Sequence, residues 1–396
     1  MPLAVYILGL GIFAQGTSEM MLSGLLTEIS ADLGISVPQA GLLISAFAVG
    51  MFLGAPISAV VTARWSRRTA LLAFLAIFIA THVVAALTSD YRVLIATRVA
   101  GAFVYAGFWA VASATVIGLV PATARGRAMA VVAGGLTVAT ILGLPLGTFI
   151  GQHLGWRAAF WAVAVICVPV LVAVAVAVPD QHAGPVTQVR KELRALATGP
   201  VVLLYATTMV ATAALLVTFG YLGALLTETT GVADSSVPVM LGIYGLGSLV
   251  GIVIGGRIAD SHPFGTLAIG ISGLVVTSVV LALTAEYWPA VAVTAFLLGA
   301  FGFGTNPVLN SRVFALAPDA GTLGAAGNAM SFNVGITVGP WLGGLAIGAG
   351  MGYPSVAWIG ASLGAVGLGL VALGRSVAAV PMSSNTHAPE PVPAEL

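Results

Sequence analysis

This chain is a succession of apolar runs broken only by short polar loops. A helix needs about 20 apolar residues to cross the hydrocarbon core of a bilayer. Runs of that kind lie near 4–26, 39–63, 69–88, 92–119, 128–150 and 158–178, and again near 200–225, 237–256, 264–285, 288–310, 321–347 and 353–374. Twelve spans are predicted. Only 7% of the residues are charged, against roughly 25% in soluble domains, so the chain cannot cover a water-facing surface. In lipid the backbone must satisfy its own polar groups, and the expected class is an all-α membrane protein. The first run lacks the basic start of a signal peptide and contains Glu19, so it is expected to remain as a helix.

The longest polar gap, residues 179–199, divides the runs into two sets of six. Expected units are a six-helix bundle over 1–178, a cytoplasmic linker over 179–199, a second bundle over 200–375 and a disordered cytoplasmic tail over 376–396. Eleven of the fourteen Lys and Arg residues fall in loops or ends on the side of the termini and two, Arg92 and Arg157, on the other. Basic loops stay inside, so both termini are expected in the cytoplasm. The halves also echo each other: "VGMFLGAPISAVVTAR" (49–64) lines up with "LGSLVGIVIGGRIADS" (246–261) at an offset of 197, and "GAF" recurs at 101 and 299. Duplicated halves with a site at their interface mark secondary transporters.

Small residues four apart let helices approach closely in lipid. Gly50 and Gly54 do so in the second run, Gly143, Gly147 and Gly151 in the fifth, Gly247, Gly251 and Gly255 in the eighth, and Gly339, Gly343, Gly344 and Gly348 in the eleventh. One reading is a smooth seam on which the halves rock; the other is tight packing within each half. Other chemistries find little support. The net charge of +1 offers nucleic acid no basic field. Cys167 is alone, which excludes internal disulfides and a cysteine metal site. "GLGSLVG" (245–251) has no preceding strand and is not a dinucleotide loop. No enzyme motif is found.

The two-fold six-helix plan resembles the major facilitator superfamily across residues 1–375. "GLPLGTFIGQHLGWRAAFW" (143–161), with Gly143, Pro145, Gly147 and Gly151, is similar to the fifth-helix antiporter motif of drug/proton exporters, and "VGPWLGG" repeats it around Gly339 and Pro340. "RVAGAFVYAGFW" (98–109) resembles the fourth-helix motif of that branch with its buried arginine, Arg98. The stretch 16–56 is similar to the chloramphenicol and sugar exporters. The resemblance implies alternating access by a monomer in a bacterial plasma membrane, with protons as the coupling ion and no other cofactor. It also implies a small neutral drug such as chloramphenicol as the partner. Sugars or other neutral metabolites are the alternative cargo, and a receptor or channel is the alternative class. The loop after the second helix keeps Arg64, Arg67 and Arg68 but has Ala63 where the family carries Asp, while Asp260 is retained in the second half. These residues are the expected cytoplasmic gate.

Among the thirteen acids only Glu19 lies deep in a span, and among the bases only Arg98 does. Counting about 1.5 Å per residue from each entry point puts them at one level. In the superfamily the first and fourth helices both line the central cavity. A structural reading makes them a pair that offsets each other's desolvation; a functional reading makes Glu19 the group that gains and loses the proton. His82, on a third helix that is peripheral in the superfamily, is expected to be structural. Helical spacing then selects possible drug contacts: Met20 and Ser23 beside Glu19, Tyr105 and Trp109 beyond Arg98, Tyr205, Thr208, Thr212 and Phe219 on the seventh run, and Phe303, Asn306 and Asn310 on the tenth.

Overall fold

The computed structural model describes residues 1–62, 64–121, 124–180, 198–259, 261–317 and 321–379. Twelve helices in it are long and apolar enough to cross a membrane. They are α1 (Leu3–Gly24), α2 (Val37–Ser58), α3 (Arg67–Leu87), α4 (Tyr91–Leu119), α5 (Arg127–Leu154) and α6 (Trp156–Ala177), followed by α7 (Gly199–Glu228), α8 (Asp234–Ile258), α9 (Pro263–Leu283), α10 (Trp288–Val313), α11 (Gly327–Gly348) and α12 (Pro354–Ser376). Each overlaps its predicted run. The predicted linker and tail lie almost wholly outside the described residues. Large apolar side chains point outward, Val176 at 83% exposure and Leu283 at 69%, as lipid contact requires.

Short polar residues start the helices. Ser36 and Gln39 form a reciprocal capping box at α2, Ser66 caps α3 and Asp90 caps α4. Besides α8, which opens with a 3₁₀ turn at Asp234–Ser236, four spans depart from regular winding. α1 tightens into a 3₁₀ turn at Met21–Gly24, and α7 stops at Phe219 and resumes at Leu222. α5 has a π turn at Ala139–Gly143 just ahead of Pro145, whose missing N–H frees a carbonyl in the preceding turn. α10 breaks between Gly304 and Asn306, beside Pro307.

The glycine stripes correct one expectation. Gly50 and Gly54 of α2 lie against the backbone of Val99 and Phe103 in α4, and Gly247 and Gly251 of α8 against Phe296 and Ala300 in α10. Gly143, Gly147 and Gly151 of α5 face Thr17, Met21 and Leu25 of the first helix and its extension, and Gly339 of α11 faces Ala213 and Val217 of α7. A Cβ at any of these would overlap its neighbour. These fasten helices inside one half and do not form the seam between halves; of the glycines in the stripes, Gly344 alone is placed at the seam, against Pro38. The contacts repeat with the sequence: Gly50–Val99 recurs 197 residues later as Gly247–Phe296, and Gly143–Thr17 recurs 196 residues later as Gly339–Ala213. The duplication is therefore a duplication of packing.

The halves meet along α2 with α11 and α5 with α8. Their close approaches lie in the half of the molecule away from the termini. There Tyr221 seats its ring edge and hydroxyl over Gly41 and donates to the Pro340 carbonyl at 3.0 Å. Gly223 lies against the Ser23 carbonyl, and Gly344 against Pro38. Deeper in, Gly242 packs on Pro145 and Gly245 on the Thr140 carbonyl of the π turn, and Ser45 donates to the Thr337 carbonyl at 2.9 Å. Of the predicted antiporter residues, Pro145 is thus the one placed at the seam. The face opposite the termini is shut.

Candidate functional site

Arg98 is 2% exposed and sits where predicted, level with the end of α1. Its partner is not Glu19. Nη1 donates to Ser18 Oγ at 2.8 Å and Nη2 to the Ser18 carbonyl at 3.1 Å, while the guanidinium lies 4.2 Å over the Phe47 ring. Burying an unpaired guanidinium costs several kcal/mol; two charge-assisted hydrogen bonds and a cation–π contact offset part of that. Glu19 lies within coulombic range of Arg98, yet among the described residues it forms no ion pair or hydrogen bond. The expectation of a contacting pair is corrected. Ser18 intercepts the guanidinium because its hydroxyl and carbonyl offer two acceptors together, one residue short of the acid.

His82 is buried beside Ser18, as a structural histidine would be. It is 3% exposed, Nε2 is 2.6 Å from Ser18 Oγ, and Nδ1 is 2.8 Å from the Phe78 carbonyl. His82 lies well inside a span, where titratable groups are functional candidates by default, whereas His153 sits in the last turn of α5. Phe47 and Tyr244 were passed over, since an aromatic in an apolar run carries no signal of what it stacks on.

Glu19 is half-buried. Gln15, one turn before it, has its Oε1 buried without a partner, as is the Tyr105 hydroxyl, which packs against Gly16. Trp109 is half-buried and meets Tyr105 edge-on at 6.1 Å. Met20 is buried, and Ser23 lies beneath the closed seam. On the other half, Phe303 is half-buried and edge-on to Tyr244 at 6.2 Å, and Tyr244 stacks on Phe219 at 4.4 Å. This aromatic group and the Glu19 face present opposite chemistries.

Three predicted contacts on α7 are corrected. Tyr205 donates to the Gly324 carbonyl at 3.0 Å, Thr208 to Asn328 Oδ1 at 3.2 Å, and Thr212 packs on Gly335. All three face α11 within their own half. Phe219, 2% exposed, belongs to the aromatic stack. Asn328 donates onward to Asn310 Oδ1 at 3.0 Å, and Asn310 to the Asn306 carbonyl at 2.9 Å. Asn306 is half-buried and Asn310 exposed, so the tenth helix brings its amides to an open edge. At the terminal face Arg67 donates to the Ala114 carbonyl at 2.9 Å, Arg64 is exposed and Arg68 half-buried. Asp260 and Ala63 lie outside the described residues.

Beyond the opposite end of α1, Arg157 pairs with Asp32 and also donates to the Thr88 carbonyl at 3.1 Å. Trp156 Nε1 donates to Asp32 at 3.1 Å. The Arg157 hydrogen bond, with the indole, holds the Asp32 carboxyl below its ordinary value.

The sequence profile of the Major Facilitator Superfamily matches residues 8–260 and 204–394. The chain belongs to this superfamily. A chloramphenicol resistance protein of Streptomyces lividans is 40% identical over 93% of this chain and 95% of its own length. An uncharacterized MFS-type transporter of Bacillus subtilis is 36% identical over 90% and 91%, and an inner membrane transport protein of Escherichia coli K12 is 33% identical over 92% and 94%. The crystal structure of a D-xylose–proton symporter superposes with a TM-score of 0.74 over 93% of this chain and 96% of that one at 15% identity, a likeness of fold. The protein is a multi-pass superfamily transporter and not an enzyme.

Proposed function

We propose that this transporter exports a small neutral drug of the chloramphenicol kind in exchange for protons, with Glu19 as the proton carrier. The observation that carries the reading is Glu19 itself, half-buried and, among the described residues, without a direct partner. A carboxylate already bonded to Arg98 would gain little by taking a proton, whereas one held at coulombic range from a guanidinium tied elsewhere can exchange it. With the terminal face cytoplasmic, the present state is the one that admits drug. The half-buried Trp109 and Phe303 offer apolar walls to a neutral solute. Drug entry displaces the proton from Glu19 to the cytoplasm; after the halves rock, drug leaves outward and Glu19 takes a proton from outside. The 40% identical relative named for chloramphenicol resistance supports the choice of solute.

In proteoliposomes, chloramphenicol addition should drive proton release through the wild type and none through Glu19→Gln, which cannot titrate, with drug binding weakened far less. Normal release through a well-folded Glu19→Gln moves the carrier elsewhere. Unchanged chloramphenicol tolerance in a hypersensitive host expressing the gene removes this drug and leaves the transporter.

A further inference from the structure

We propose that His82 is a positioning residue for proton coupling, acting through Ser18 to hold Arg98 off the Glu19 carboxylate. The inference rests on the coupled-export reading above. No charge or ligand contact on His82 itself is required.

The hydrogen bonds fix the direction of the chain. The Phe78 carbonyl can only accept, so His82 Nδ1, 2.8 Å away, carries a hydrogen. In the neutral ring Nε2 is then an acceptor, and at 2.6 Å it takes the Ser18 hydroxyl hydrogen. That leaves the lone pairs of Ser18 Oγ turned to Arg98 Nη1 at 2.8 Å. Arg98 Nη1, the Ser18 hydroxyl and His82 Nδ1 each have one acceptor along this row. A charged imidazole would put two cations on one oxygen and leave the serine hydrogen without an acceptor.

The surroundings contain nothing else to do this work. His82 packs on Phe78 at 4.1 Å from its own helix and on Phe160 of α6 at 5.7 Å, beside Gly101 of α4 and Ser18 of α1. Arg98 is the one charged group that bears on it. Arg98 has further freedom: its Nε is buried without a partner, and Glu19, the residue after Ser18, lies within coulombic range. Without His82, the Ser18 hydroxyl has no fixed orientation and its hold on Nη1 loosens. The guanidinium then has a stronger acceptor next door in the carboxylate. A Glu19–Arg98 contact would fix the carboxylate in its charged form and stall exchange, while leaving most of the drug contacts in place.

The test compares His82→Leu, His82→Gln and Ser18→Ala in proteoliposomes, with wild type and Glu19→Gln as references. Wild type without drug-driven proton release removes the coupled-export reading itself. With release established, His82→Leu and Ser18→Ala should each lower it about tenfold with drug affinity changed far less. Their double variant should be no worse than either single one, because both cut the same chain. His82→Gln, whose amide oxygen can accept from Ser18 but cannot titrate, should restore most of the release. Wild-type release in His82→Leu or in Ser18→Ala overturns the inference. Equal loss in His82→Gln and His82→Leu also overturns it, because it would mean that titration and not acceptance matters. Should His82→Leu fail to bind drug, the Ser18→Ala arm decides alone. A parallel readout needs no transport: in ¹⁵N-histidine-labelled protein the Nε2 resonance of His82 should move in Ser18→Ala and in Arg98→Leu, and an unmoved signal overturns the chain.

Discussion

The two halves share a scaffold and differ in chemistry. The glycine contacts between α2 and α4 return between α8 and α10, and those between α1 and α5 return between α7 and α11. Yet the position matching Glu19 in the α1-to-α7 register is Leu215, and the position matching Arg98 in the α4-to-α10 register is Ala295. No histidine occurs on α9. Where the first half has ionisable groups, the second has the Phe219–Tyr244–Phe303 aromatics and the Thr208–Asn328–Asn310 amide row. Backbone proximity tolerates little variation, since a side chain at these glycines has nowhere to go. Side chains lining the interior were free to diverge, and one half came to carry the charge.

The sharpest way to break this comparison is to move the acid across it. Leu215→Glu in a Glu19→Gln background should leave drug-driven proton release in proteoliposomes at background, because no guanidinium row stands opposite Leu215. Recovery of release would make the halves interchangeable. Next in size are matched insertions into the shared packing. Gly54→Leu and Gly251→Leu should each lower thermal stability in detergent by about 1–3 kcal/mol, and by similar amounts. Gly147→Leu belongs with them, as a folding defect from collision with Met21; a stable but transport-dead Gly147→Leu would return that residue to the seam.

A smaller effect comes from the seam. Tyr221→Phe removes the hydroxyl seated over Gly41 and frees the ring from its hydrogen bond to Pro340, about 1 kcal/mol, and should loosen the closed face. A cysteine at Ser45, beside a native Cys167 that is fully buried, should then label faster from the side opposite the termini. The smallest expected effect is at Asp32. Its carboxyl is held low in the folded chain, so the tie to Arg157 contributes above the ordinary carboxylate value of about 4 and is lost as pH falls through the folded value. Asp32 is exposed and Arg157 half-buried near the surface, and the contribution stays below about 1 kcal/mol. Asp32→Asn should therefore melt slightly lower than wild type at neutral pH, and the gap should close in acid.

The spans, the repeat and the common level of Glu19 and Arg98 could be read from the residues because length, spacing and charge depth are one-dimensional properties. What could not be read was the neighbour. A stripe such as Tyr205, Thr208 and Thr212 marks a helical face, but in lipid an adjoining helix and a cavity wall draw on the same residues. The stripe turned out to face α11. The glycines failed for the same reason: spacing of four announces close approach without saying to which helix. Ser18 was hidden differently, since a hydroxyl in a helix ordinarily bonds its own backbone. Only the histidine on one side and the arginine on the other make it a junction.

The closed face has a thermal consequence. Among the described residues, Ser45 to Thr337 is the one hydrogen bond running from the first half to the second; other approaches across the joint are glycine against carbonyl, proline or the Tyr221 ring and hydroxyl. Opening such a joint wets apolar surface, and wetting apolar surface raises heat capacity. Apolar burial weakens on cooling. The balance between the two faces should therefore curve with temperature, tilting toward the opened joint in the cold, so that growth temperature and the proton gradient together set how long the molecule waits in each state.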